Sequence, residues 1–195
     1  SLYQYFSKMS YNTQNSLLLN NLMKFYNKDD NLEKILPIIN GESSISLRLI
    51  DWFVTNYSKK HYVIYNVKRI KQECEIRFKV YVDYKLKLKA YSKKRFDPFC
   101  RWDTITIPYK EDTFIQTTLG QLNFFRWAME NDIIKYIKSN LKNIEADMNK
   151  RNSTMKYRKT NKKKSVATRK KRQELSVSAT KTIKKEDVEI IVKFN

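Results

Sequence analysis

The sequence predicts an α+β fold in which a small antiparallel sheet packs on a long amphipathic helix, with a basic flexible segment after it. Three observations carry this expectation. Apolar and polar residues alternate without a break over residues 76–90, and apolar residues recur at the helical period over residues 119–149. Over residues 151–172 apolar side chains nearly vanish while eleven are basic and none is acidic. The expected organisation is a globular domain at 1–150, the basic segment at 151–172, and a C-terminal segment at 173–195.

The first element expected is a helix over residues 13–26, where Leu18, Leu22 and Phe25 share one face. Residues 27–31 then read as a polar loop. Residues 45–57, ISLRLIDWFVTNY, place Leu47, Ile50 and Val54 at helical spacing. Their β-branched and aromatic content also suits a strand, and the spacing favours helix.

In the alternating stretch Ile76, Phe78, Val80, Val82, Tyr84, Leu86, Leu88 and Ala90 point one way, and mostly Lys and Arg point the other. The pattern predicts one long, half-buried strand, flanked by shorter strands at 62–70 and 104–109, with a turn at Asp97-Pro98. Thr118 followed three residues later by Gln121 has the form of a capping box, so the 119–149 helix starts there, with a break point near Asn131-Asp132. Residues 188–194, VEIIVKF, have strand character. Pairing them back onto the sheet would tether the basic segment at both ends.

Composition bounds the function. The chain has 195 residues, 41% of them hydrophobic, which is enough for a packed core. Its 40 Lys and Arg against 20 Asp and Glu give a net charge of +20, and such a charge repels itself unless a polyanion offsets it. Two cysteines, Cys74 and Cys100, are too few for a disulfide framework and point to a reducing, intracellular setting. No apolar run approaches the roughly 18 residues of a membrane span.

Catalytic chemistry finds little to use. His61 is the only histidine, and neither a triad nor a zinc site with Cys74 and Cys100 has supporting spacing. Two glycines, Gly41 and Gly120, exclude a standard phosphate-cradling loop, so no cofactor is expected. Asp83, Asp97 and Asp103 are the nearest carboxylates to a nuclease-type metal site, although Asp97 before a proline is an ordinary turn residue. The expectation is a protein that is not an enzyme, with a metal-dependent nuclease as the enzymatic alternative.

Nucleic acid is the expected partner, contacted chiefly through phosphates. On the polar face of the expected strand, Arg77, Lys79, Lys85, Lys87 and Lys89 form a row at phosphate-like spacing, with Tyr81 and Tyr91 as stacking platforms. The expected loop at 91–102 adds Lys93, Lys94, Arg95 and Arg101 among Phe96, Phe99 and Trp102, of which Phe96 and Phe99 read as core anchors. The strongest signal is KYRKTNKKKSVATRKKR at 156–172. There Arg158, Lys162, Lys163, Lys164, Arg169, Lys170, Lys171 and Arg172 form clusters with the form of a nuclear localisation signal and of a counterion-releasing arm. No element for reading base sequence is visible.

Three stretches, SLRLIDWFVTNYSKK (46–60), YKLKLKAYSKKRFDPFCR (84–101) and TTLGQLNFFRWAMENDIIKYI (117–137), together resemble an uncharacterised group of proteins encoded by giant viruses, the nucleocytoplasmic large DNA viruses. The resemblance covers most of residues 20–195 and brings no catalytic residues. It implies a viral protein acting in the nucleus, in the viral factory or in the virion. A structural virion protein, a minor capsid or core component with other virion proteins as partners, is the alternative to nucleic-acid binding.

Overall fold

The centre of the molecule is a helix with hardly any polar face. LGQLNFFRWAME buries Leu119, Leu122, Phe124, Phe125, Trp127 and Ala128, so its neighbours must surround it. In this computed structural model, which describes residues 13–69, 74–100, 104–109, 113–161 and 185–187, the chain order is α1 (Thr13–Tyr26), α2 (Asn31–Asn40), α3 (Leu47–Trp52), a π-helical turn (Phe53–Tyr57) and α4 (Ser58–Lys60). It continues with β1 (Ile64–Arg69), β2 (Cys74–Lys79), α5 (Val80–Phe96), β3 (Thr104–Pro108), β4 (Thr113–Thr118), the central α6 (Leu119–Glu130), α7 (Ile133–Ser139), α8 (Leu141–Asn161) and β5 (Lys185–Asp187).

Local chemistry sets the start of α6. The Thr118 hydroxyl accepts from the Gln121 amide at 3.2 Å, as the capping box requires. The Gln121 side chain turns instead to the Thr117 hydroxyl, which donates to its Oε1 at 3.0 Å. Gly120 is needed because a Cβ there would stand 2.8 Å from the Asp97 carbonyl oxygen and 3.0 Å from that of Lys94, so the first turn of α6 presses on the end of α5. Two tyrosines, Tyr26 buried and Tyr65 partly buried, add long-range ties: Tyr26 donates to the Leu122 carbonyl at 2.6 Å, and Tyr65 to that of Asn131 at 2.7 Å. Tyr84, Phe96, Phe124 and Trp127 meet edge-to-face or tilted, with centroids 5.5–6.4 Å apart.

The α+β class is as expected, and so are the helix at 13–26, the helical reading of 45–57 and the flanking strands. The strand expected over residues 76–90 is corrected. Only Cys74–Lys79 is a strand, and the chain enters α5 at Val80. Lys, Leu and Ala favour helix, and Val80, Tyr84, Leu88 and Tyr91 fall on one helical face against the core. In consequence the expected single sheet is two: a β1–β2 hairpin with Ile64 opposite Lys79, and β3–β4–β5, all antiparallel.

Helix also replaces the expected loop from Tyr91 to Phe96, with a kink at Ser92 (φ 65°, ψ 167°). The expected 119–149 helix breaks at Asn131-Asp132, where Asp132 takes a left-handed conformation (φ 54°), and again at Asn140. Its last part, α8, runs to Asn161, so the first eleven residues of the segment expected to be flexible are helical. The C-terminal return to the sheet occurs at β5, where Thr113 faces Asp187. Residues 188–194, the expected strand, lie outside the described residues.

Candidate functional site

A helix turns about 100° per residue, so the lysines of α5 cannot form the row that a strand would give. Lys85 and Lys87 are about 200° apart around the axis. Lys87 faces Leu18, Asn21, Arg126 and Glu130 across α1 and α6, whereas Lys85 and Lys89 face away from the core. Beyond the kink, Lys93 and Lys94 are exposed, and Arg95 is committed to Asn15 Oδ1 at 2.7 Å and Gln14 Oε1 at 3.1 Å. Tyr91 stacks on Phe96 at 6.0 Å and is partly buried, so it offers no free platform. Phe96 is fully buried and Phe99 packs on the core, as anchors should.

Between its exposed lysines α5 also exposes apolar side chains. Val82 is 51% and Leu86 59% accessible, one turn apart on the outward face. Two shallow concavities sharing Tyr81 and Val82 lie there, one lined also by Leu86, Lys85 and Lys89, the other by Lys59, Tyr62, Ile64 and Lys79. Among the described residues, no Asp or Glu lines either one. The Lys59 ammonium sits over the Tyr81 ring, 5.6 Å from its centroid.

Tyr62 completes this surface at a cost in backbone energy. It is 84% exposed and has φ 48°, with the Val63 amide donating to the Ser58 carbonyl at 3.1 Å. That bond spans the end of α4 in the manner of a helix terminator, whose left-handed residue is ordinarily Gly. A tyrosine held there strains the chain by about 1 kcal/mol or more.

The basic helix α8 is fixed to the body at Asp147. Its Oδ2 accepts from Trp52 Nε1 at 3.2 Å, Lys60 donates to Oδ1, and His61 Nε2 lies 3.7 Å from the same oxygen. Burial alone would raise this carboxyl, but the hydrogen bonds from Lys60 and Trp52, the Lys60 charge and the His61 contact outweigh it and hold it below the ordinary range. Arg151, one helical turn on, lies over the Trp52 ring at 5.3 Å and donates to Asn56 Oδ1 at 3.2 Å. Arg158 falls within α8, its side chain outside the described residues, as are Arg101, Lys162, Lys163, Lys164, Arg169, Lys170, Lys171 and Arg172.

The acidic residues considered for a metal have other work. Asp83 accepts from Trp127 Nε1 at 2.6 Å, and Asp97 accepts from the Phe99 amide at 2.9 Å. Asp103 lies outside the described residues. Among the described residues no group of three His, Cys, Asp or Glu side chains is arranged to hold a metal ion, and no helix is long and apolar enough to cross a membrane. Asp51 is unusual: burial, and then the nearby Asp97 carboxylate, push its carboxyl up to about 6. The apolar face at Val82 and Leu86, and the strained Tyr62, were not among the residues expected from sequence.

Comparisons with known proteins bear out the giant-virus resemblance. The chain is 43% identical over 150 residues to "Uncharacterized protein L507" of Acanthamoeba polyphaga mimivirus. That match covers 74% of the chain and 57% of the relative, so the chain spans a little over half the relative's length. No solved structure matches. The sequence model of DUF7197, a family of unknown function, matches residues 6–195, and the chain belongs to that family.

Proposed function

We propose that this chain is a non-enzymatic nucleic-acid-binding protein of a large DNA virus, working in the nucleus or the viral factory, whose contacts are made mainly with phosphates. The observation that carries the reading is the charge of residues 151–172: eleven basic side chains and no acidic one, more than half of the net +20. Its start is anchored, since Asp147 and Arg151 tie α8 to Trp52, Lys60 and Asn56. A cationic element launched from a fixed point loses less freedom on meeting a polyanion than one on a loose tail.

The lysines of α5 are not part of this reading, because helical geometry divides them between opposite sides. Sequence specificity is not part of it either. Fluorescence anisotropy with DNA and RNA probes tests the proposal. Replacing the ten basic residues that follow Arg151 in 151–172 with Ser or Gln, and so keeping the anchor, should lower affinity by about 10³-fold at low salt, the scale set by several lost phosphate contacts. An unchanged affinity would overturn it. A second reading, a structural virion protein, is favoured by one observation, the lysine-flanked apolar surface of α5.

A further inference from the structure

Helix α5 is apolar on two faces. Val80, Tyr84, Leu88 and Tyr91 face the core, while Val82 and Leu86 stand one turn apart on the opposite side, each more than half exposed. Ile64 and Tyr62 extend the second face, and Lys59, Lys79, Lys85 and Lys89 flank it. An exposed, concave apolar floor bordered by one sign of charge has the form of a surface that receives a partner.

We propose that this surface docks an acidic amphipathic helix of a partner protein, its apolar ridge seated on Val82, Leu86 and Ile64 and its carboxylates meeting the four lysines. Charge complementarity selects this occupant. Among the described residues the lining offers ammonium groups and no carboxylate, so a ligand that satisfies both floor and rim carries apolar residues at helical spacing with Asp or Glu beside them.

Other occupants fit less well. A second copy docked about a two-fold axis would set these lysines against themselves. A nucleic-acid strand would find rings only at Tyr81 and Tyr62, and the Tyr81 ring already carries the Lys59 ammonium, while Val82, Leu86 and Ile64 between them offer no π face and no hydrogen-bonding group. A bilayer calls for apolar side chains that protrude, whereas Val82 and Leu86 line a concavity. Tyr62 supports docking independently: its ring is 84% exposed at the edge of the floor, in a conformation where Gly is the relaxed choice.

The test uses the full chain and two labelled peptides of identical composition, rich in Glu and Leu, one with Leu at i, i+3, i+4 and i+7 and one scrambled. Because composition is shared, attraction to residues 151–172 is common to both, and the outcome is independent of whether nucleic acid binds. In anisotropy titrations the amphipathic peptide should bind about 10-fold or more tightly than the scrambled one. Val82→Ser with Leu86→Ser should abolish that preference without moving the melting temperature, since both side chains are already exposed. Lys85→Glu with Lys89→Glu should weaken binding more than Lys24→Glu with Lys28→Glu, which makes the same change of net charge elsewhere.

Equal binding of the two peptides, or indifference to the Val82 and Leu86 changes, would overturn the proposal. So would sedimentation with phosphatidylserine vesicles that needs Val82 and Leu86 in the absence of any peptide preference, which would assign the face to a membrane. Self-association abolished by the Leu86 change, again without peptide preference, would assign it to a second copy.

Discussion

Replacing Tyr62 with Gly should make the protein more stable, against the usual direction of such a change. Tyr62 has φ 48° and closes α4 through the Val63 amide and the Ser58 carbonyl. A residue with a Cβ held in this left-handed region costs about 1–2 kcal/mol. Gly removes that strain but adds freedom to the unfolded chain, returning about 0.4–1 kcal/mol. Little packing is lost, because the side chain is 84% exposed. The net gain is about 0.5–1 kcal/mol, which for a chain of this size corresponds to about 1–4 °C in melting temperature. Thermal unfolding followed by far-ultraviolet circular dichroism measures it, with Tyr62→Ala as control, since Ala keeps the Cβ and the strain. A Gly variant that melts at or below the Ala variant would refute the reasoning. If Tyr62 edges a docking surface, the same substitution weakens peptide binding, so stability and binding move in opposite directions.

Gly120→Ala should destabilise by about 1–3 kcal/mol, because the new methyl meets two backbone carbonyls that cannot swing away; a melting temperature equal to wild type would contradict the close approach. Asp147→Ala should cost about 1–3 kcal/mol by leaving the Trp52 indole without its acceptor, and hydrogen exchange should accelerate in α8 before the central helix. The two shifted aspartates act with opposite signs on stability against pH. Asp51, raised from 3.8 to about 6, opposes folding when ionised, so its penalty of up to about 3 kcal/mol is relieved as pH falls from about 6 toward 4. Asp51→Asn should flatten that rise, and an unaltered profile would show that Asp51 keeps an ordinary carboxyl. Asp147, held low, contributes stability at neutral pH that is lost only as pH falls below about 4.

Much of the fold was legible because local signals agreed with tertiary need. The α1 pattern, the Thr118 cap and the break at Asp132 each rest on chemistry within a few residues. Residues 80–90 misled because two periodicities overlap there. Val80, Tyr84 and Leu88 satisfy a helix, while Val82 and Leu86 complete an alternation that reads as a strand. A strand would have buried all five on one side; the helix leaves Val82 and Leu86 outside, and the apparent strand signal is the trace of a second apolar face. The same error scattered the expected lysine row, since its spacing assumed extended backbone. Tyr62 and Asp147 were illegible for another reason: a left-handed helix terminator without Gly and a side-chain contact 95 residues distant from Trp52 leave no local pattern.

The central claim is that the charge at residues 151–172 engages nucleic-acid phosphates, and the salt dependence of affinity measures this most directly. For duplex DNA the logarithm of the binding constant should fall linearly with the logarithm of salt concentration, with a slope of about −5 to −9 if roughly 6–10 phosphates are contacted. Substituting Ser or Gln for the ten basic residues that follow Arg151 should reduce that slope to about −2 or shallower, with the melting temperature nearly unchanged because the Arg151 anchor is kept. A steep slope that survives the substitution would place the phosphate contacts elsewhere on the protein, and a wild-type affinity that hardly responds to salt would contradict the proposed function itself.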